Sequence, residues 1–489
     1  MKDFLKAHKK FSGEGRTRRE LASYLGIAED SVRRYEANHN LEPLPIRRKP
    51  RPMPEIKEDT FIITHATNAS PVWWPVWENL LALGDHLGCP VYSVPSFYCR
   101  PARGDWFDSA FDDHMLWEDT KIGDWLVLTE VSKTTRPTVM YPLSGVGVMS
   151  DHQNVIVAHP QVALDMAPTL DGPARILATT GSSTVTEYTR TREGTRGAFN
   201  HTFGGLLVHK GKPYQLVADK EGTVHFLRTR VRGGLVDEVD VECIVYGDTH
   251  VPFQDPDVWK ELAELRSDLN PKYQVFHDIL DFYSRNHHHA GDDLLAYGKT
   301  RYDFYDSVEE ELQAVADFLD EQSGDWQSVI VASNHDEALT KWLATANPKT
   351  DPKNALLYHK LKYLQLQNLQ QTATGFETLD VLETCLREMG VIQNTRFLSR
   401  GESFTVKGIE LSMHGDKGAN GARGSARNVS YLPTKSIVGH SHTAKIVRGC
   451  WQVGLTARNP LDYAKGQASS WVHCCAVIYD NGKRSLIFL

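Results

Sequence analysis

Val241-Glu-Cys-Ile-Val-Tyr246 runs directly into Gly247-Asp248-Thr249-His250, and the same pattern then returns four times. Tyr273-Gln-Val-Phe276 leads into His277-Asp278-Ile-Leu-Asp281. Ser328-Val-Ile-Val-Ala332 leads into Ser333-Asn334-His335-Asp336. Ile409-Glu-Leu-Ser-Met413 leads into His414-Gly415-Asp416, and Ser436-Ile-Val438 into Gly439-His440-Ser441-His442. Short β-branched apolar runs closed by turn residues read as buried strands. Five strands would thus deliver Asp, His and Asn side chains at their C-terminal ends, the edge where open α/β sheets place their sites.

The side chains so placed are carboxylates, imidazoles and one amide, with no thiolate. Such donors suit Mn²⁺, Fe or Zn²⁺, with Mg²⁺ also admissible, rather than a structural zinc. A single carboxylate between two strands can bridge two ions. Two ions about 3.5–4 Å apart polarise a phosphoryl group and generate a hydroxide between them.

The order Asp-x-His, Asp-x-x-Asp, Asn-His-Asp, His-Gly and Gly-His-x-His resembles the calcineurin-like metallophosphoesterase superfamily over roughly residues 241–489. The resemblance implies an αββα sandwich at the C-terminus. It implies one metal held by Asp248, His250, Asp278 and His442, and a second by Asp278, Asn334, His414 and His440, with Asp278 bridging. It also implies that a bridging hydroxide attacks phosphorus in line while His335 acts as general acid, with Asp336 or Asp281 as its partner. His277 and Ser333 stand where that superfamily usually has glycine, which marks a divergent branch.

Further segments narrow the likeness. Ala178-Thr-Thr-Gly-Ser-Ser-Thr184, Gly247-Asp-Thr-His-Val-Pro-Phe253, the run from His277 to His289, Asn420-Gly-Ala-Arg-Gly424 and Ala468-Ser-Ser-Trp471 are similar to the early DNA-transfer DNase family of T-five-like tailed phages. That likeness implies a Mn²⁺-dependent DNase linked to host DNA degradation and phage DNA entry.

The chain has 489 residues, 41% hydrophobic and 24% charged, with a net charge of −8. That length suggests about three domains of ~150 residues. No apolar run approaches the ~18 residues of a membrane span. The charged stretch Met1–Lys10 has no apolar signal core, so a cytoplasmic location is expected, the host cytoplasm if a phage encodes it. Seven scattered cysteines fit a reducing compartment and speak against a disulfide framework.

The charge is uneven. Residues 1–51 carry 13 Lys/Arg against 7 Asp/Glu, which leaves −14 on the rest. A basic head on an acidic body points to a polyanion partner, here DNA. Within residues 1–40, Arg16 to Ile27 reads as a short helix ending at Gly26. Asp30-Ser31 can cap a second helix bearing Arg33 and Arg34. Leu21, Leu25, Ile27, Val32 and Tyr35 would make its core. This is a helix-turn-helix outline, read either as DNA-binding through Arg33 and Arg34 or as a hairpin that docks a partner. Residues 41–58, dense in Pro and Arg, read as an extended linker.

Residues 59–235 read as an α/β domain of unassigned role, and 236–489 as the catalytic domain. The Gly-rich loop after His414 carries Lys417, Arg423 and Arg427, read as a clamp on backbone phosphates rather than a plain flexible loop. His288 is expected either to contact substrate or to lie in a solvated loop. The first function expected is a two-metal DNA nuclease. A phosphomonoesterase or protein phosphatase, and a non-enzymatic DNA-binding regulator, are the alternatives. A homo-oligomer and a host or phage protein partner are both left open.

Overall fold

The computed structural model describes residues 2–13, 17–44, 59–99, 104, 106–129, 136–150, 153–286, 289, 292–301, 303–371, 379–390, 394–461 and 466–489. His288 and most of the 41–58 linker lie outside them. The fold is α/β, and the chain divides into two compact units. The first comprises Met1–Leu164 and Ile176–Asp237; the second comprises Asp165–Arg175 and Glu238–Leu489. Residues 165–175, read in sequence as part of the middle domain, therefore belong to the second unit.

The head is a three-helix module of Lys2–Gly13, Arg18–Leu25 and Glu29–Asn38. Gly26, at φ +65°, makes the tight turn between the last two. The expected core is corrected here. Leu21 and Val32 are buried, but Ile27 and Tyr35 are each 37% exposed. Their places are taken by Phe4, Ala7 and Phe11, which line one face of the first helix at i, i+3 and i+7 spacing. The last helix starts at Glu29, after Ala28, without a side-chain cap, so Asp30 and Ser31 lie inside its first turn. Glu36 is buried and gathers three donors: Arg18 Nε at 2.7 Å, the Leu44 amide at 2.9 Å and His8 Nε2 at 3.2 Å.

The rest of the first unit holds the parallel pair Thr60–Thr67 and Val91–Ser96, with Gly204–His209 and Lys212–Val217 antiparallel beside it. The helix Trp74–Leu87 supplies Val76, Trp77, Leu80 and Leu83 to the core. The Thr179–Thr184 turn is packed inside this unit. Its side chains are buried. Ser182 Oγ bonds His65 Nδ1 at 3.1 Å, and Ser183 Oγ bonds Thr64 Oγ1 at 2.8 Å.

In the second unit a six-stranded sheet has the order Thr395–Leu398, Gln327–Val331, Tyr273–Phe276, Cys243–Val245, Cys474–Ile478, Arg484–Phe488. The first four strands are parallel; Cys474–Ile478 pairs antiparallel with both Cys243–Val245 and Arg484–Phe488. These strands read as near-continuous apolar runs because both sheet faces are covered. A second sheet contains Ile409–Glu410, Lys435–Val438, Cys450–Gln452 and Lys445–Val447. The buried Arg484 ties the two sheets, donating to the carbonyls of Ser436 at 2.8 Å and Gly449 at 3.0 Å. The five strand-and-cluster motifs are thus split, three on the first sheet and two on the second. Among the described residues no helix is long and apolar enough to cross a membrane.

Candidate metal centre

Each motif ends its strand in a sharp turn, and the turns converge. His250, Asp278, His440 and His442 have φ of 49°, 44°, 77° and 58°. Left-handed backbone is costly for residues with a Cβ and persists where surrounding structure enforces it. Here cross-strand bonds do so: the His250 amide donates to the Asp278 carbonyl at 2.7 Å, and the Gly439 amide to the His414 carbonyl at 2.7 Å. Gly439 is required by close approach, since a Cβ there would lie 2.2 Å from Asp248 Oδ1. That oxygen instead accepts from the His440 amide at 3.0 Å.

Two groups of donors form around one carboxylate. Asp248, His250, Asp278 and His442 bring ligand atoms within 4.8 Å of one another, and so do Asp278, His414 and His440. His414 Nε2 is 3.1 Å from Asp278 Oδ2, and His442 Nε2 is 3.1 Å from Asp248 Oδ2. The Nε2 atoms of His250 and His442 face each other at 2.9 Å. Asp278 Oδ1, Asn334 Oδ1 and His414 Nδ1 are buried without a hydrogen-bond partner. Unmet buried acceptors are expensive, and convergent ones are what a cation satisfies. The residues present therefore fit bound divalent metal, and these Asp and His groups could hold such ions.

The electrostatics agree. Burial alone would raise the Asp278 and Asp248 carboxyls. His414, His335 and His250 together outweigh it at Asp278, and His442 and His414 together at Asp248, so both are held below the usual carboxylate range. Burial depresses the imidazoles of His250 and His414, yet Asp281 beside His250 and Asp278 beside His414 lift both to about 9. Burial lowers His440 and His442. His277, with no carboxylate bonded to it, is pushed down to about 4 by burial and by His414.

Of the two carboxylates expected beside His335, Asp281 is the one that lies there, its Oδ1 3.8 Å from His335 Nδ1, while Asp336 takes another role. Asp281 Oδ1 accepts from His250 Nδ1 at 2.9 Å, which turns Nε2 of His250 toward the other ligands. His335 Nδ1 bonds the backbone carbonyl of Asp281 at 2.9 Å. Asp336 points away from His335. Its carboxylate accepts from the Leu280 amide at 3.1 Å and Ser333 Oγ at 2.8 Å, and burial pushes it up to about 7. Ser333, in the position where a glycine was expected, thus caps the turn that carries Asn334.

The expected substrate residues are more scattered. Arg423 and Arg427 are exposed, but Lys417 is paired with Glu337 at 3.3 Å. Arg33 and Arg34 are exposed on the third head helix.

Sequence reading missed two side chains that shape the centre. Glu311 is buried under the loop after Asp281 and accepts from the amides of Tyr283 at 2.6 Å and Ser284 at 3.0 Å. Arg400 bridges Glu337 at 2.7 Å and Asp416 at 2.7 and 2.9 Å, so the turn after His414 is tied to the helix after His335. One signal was readable: Glu311 falls on the apolar stripe of Val308, Leu312 and Val315, where a carboxylate needs a buried partner.

The fold and site thus define an α/β protein with a buried Asp/His/Asn centre suited to divalent metal. Protein A1 of Escherichia phage T5 is 32% identical over 411 residues, covering 79% of this chain and 72% of that protein. The chain belongs to the family of that phage protein. No family model matches it.

Proposed function

We propose that this protein is a two-metal phosphodiesterase of the calcineurin-like metallophosphoesterase type, and that its substrate is DNA. The single observation that carries the reading is Asp278. Its carboxylate belongs to both donor groups, the arrangement a bridging ligand requires. The kinship to a phage T5 protein and the basic head support DNA as the substrate and the host cytoplasm as the place of action.

Asp248, His250, Asp278 and His442 would hold one ion, and Asp278, Asn334, His414 and His440 the other. Mn²⁺ is the ion of choice for this nitrogen and oxygen set. When bound, the ions supply charge for the phosphoryl oxygens and a hydroxide at neutral pH. The chain's own residues do the rest. Asp281 fixes His250 through Nδ1. The Asp281 carbonyl anchors Nδ1 of His335, whose side chain is 22% exposed, leaving Nε2 to give a proton to the departing oxygen. Arg423 stands on the loop after His414 and Arg427 on the short helix Ala426–Val429 that follows, where the flanking phosphates would pass.

Purified protein is incubated with plasmid and linear DNA in Mn²⁺, Mg²⁺ or EDTA, beside the Asp278→Ala variant. Metal-dependent cutting lost in the variant is the expected result, with product sizes separating endo from exo action. His335→Ala is expected to slow cutting by ~10²–10⁴-fold. Absence of cutting, with hydrolysis of p-nitrophenyl phosphate, would replace the nuclease by a phosphomonoesterase.

A further inference from the structure

The carboxyl edge of the six-stranded sheet carries a second concavity, one strand outward from the metal donors. A cleft of about 500 Å³ opens between the ends of strands Gln327–Val331 and Thr395–Leu398. That volume is within the range of small-molecule sites. Ser333 and Asp336 line it, so the cleft backs onto the turn that carries Asn334 and His335.

Its lining is chemically selective. The floor is apolar, with Ile330, Leu382 and Leu398 buried and the Phe397 ring half-buried. The rim charges are already matched to one another. Arg400 is held by Glu337 and Asp416, and Lys341 lies 3.9 Å from Glu337. Asp380 spends one oxygen capping a helix, accepting from the Glu383 amide at 3.0 Å. A phosphate entering here would meet Glu337 and Asp380, and an ammonium would meet Arg400 and Lys341. An uncharged planar ring with polar edges meets neither penalty. It stacks on the apolar floor and bonds the hydroxyls of Thr340 and Ser399 at its edges.

We propose that this cleft takes one nucleobase of the substrate strand. The nucleotide would straddle the Asn334–His335 turn, with its phosphate at the metal donors and its base in the cleft. A base stacked in duplex cannot reach such a pocket, so the substrate is a strand with unpaired bases at the cutting point, either single-stranded DNA or a frayed end. This rests on the nuclease reading and adds the strand preference.

The test uses the full chain with Ca²⁺ in place of Mn²⁺, so that the metal donors are filled while DNA stays intact, and a single-stranded oligonucleotide carrying 2-aminopurine. Quenching of 2-aminopurine reports stacking of the base, and anisotropy of an end label reports overall binding. The unmodified protein is expected to quench the single strand and not the matching duplex. Thr340→Leu, on the helix Asp336–Thr345, and Ser399→Leu, after the strand Thr395–Leu398, both at exposed positions, fill the cleft and remove a hydroxyl each. Each is expected to cut the quench at least tenfold while unchanged melting shows that the fold is kept. Equal quenching by both variants, or by the duplex, would overturn the pocket. Failure of Mn²⁺-dependent cutting by the unmodified protein is a separate result, which would overturn the nuclease reading instead.

Discussion

Replacing Glu311 by Gln is expected to make the protein more stable above pH 7 and less active. The carboxyl is buried, and burial pushes it up from 4.5 to about 7, against the pull of the Ser284 and Tyr283 amides. A folded-state value above the unfolded one means that the folded chain holds the extra proton between the two. Its stabilising effect is complete below about pH 4.5 and is lost as pH rises through about 7. At about 1.4 kcal/mol for each pH unit of that gap, ionised Glu311 costs about 3 kcal/mol.

Gln matches the protonated acid in charge, but its NH₂ carries two donors and no acceptor, so one of the two amides loses its partner. The variant should therefore lie slightly below the parent near pH 4.5, by the lost bond, and gain about 3 kcal/mol relative to it between there and pH 8. Denaturant melts at both pH values measure this. The same change removes one of the two bonds that pin the loop after Asp281, so turnover should fall while the stability rises, a trade seen where sites hold strain. The opposing effect is a lost charge-assisted hydrogen bond, worth about 1.5–3 kcal/mol. A variant less stable than the parent at pH 8 would show that this bond wins and would refute the argument.

Two further outcomes follow from close contacts. Gly439→Ala puts a methyl 2.2 Å from Asp248 Oδ1, so the ligand must move, and metal content and cutting should both fall more than tenfold without loss of the fold by circular dichroism. Glu36→Ala leaves Arg18 and His8 facing each other without their carboxylate in the head. Loss of one partner of a buried pair costs about 3–5 kcal/mol. That is comparable with the whole stability of a module this small, ~0.05–0.15 kcal/mol per residue. Limited trypsin digestion should then remove the head while the rest of the chain survives, and an unchanged digestion pattern would contradict the reading.

The centre was legible in the sequence because each ligand sits within a few residues of the strand that carries it. Asp248, Asp278, Asn334, His414 and His440 each follow an apolar run directly, so local pattern gives both the element and the side chain. What could not be read are pairings across long separations. Arg400 meets Glu337 over 63 residues, and the choice between Asp281 and Asp336 beside His335, open in the sequence, falls to Asp281 over 54. The division of the five strands between two sheets was equally hidden, because an apolar strand does not announce its neighbour. The first helix of the head was missed for a different reason. Its apolar face is only Phe4, Ala7 and Phe11 amid lysines, and its burial depends on the two helices that follow.

The most direct test of the central claim is metal content. The full chain, loaded with excess Mn²⁺ and freed of unbound ion, is measured by mass spectrometry beside Asp278→Ala. The account predicts two ions per chain in the parent and loss of both in the variant, because the two donor groups share that one carboxylate. A parent that holds no ion, or a variant that still holds two, would contradict it.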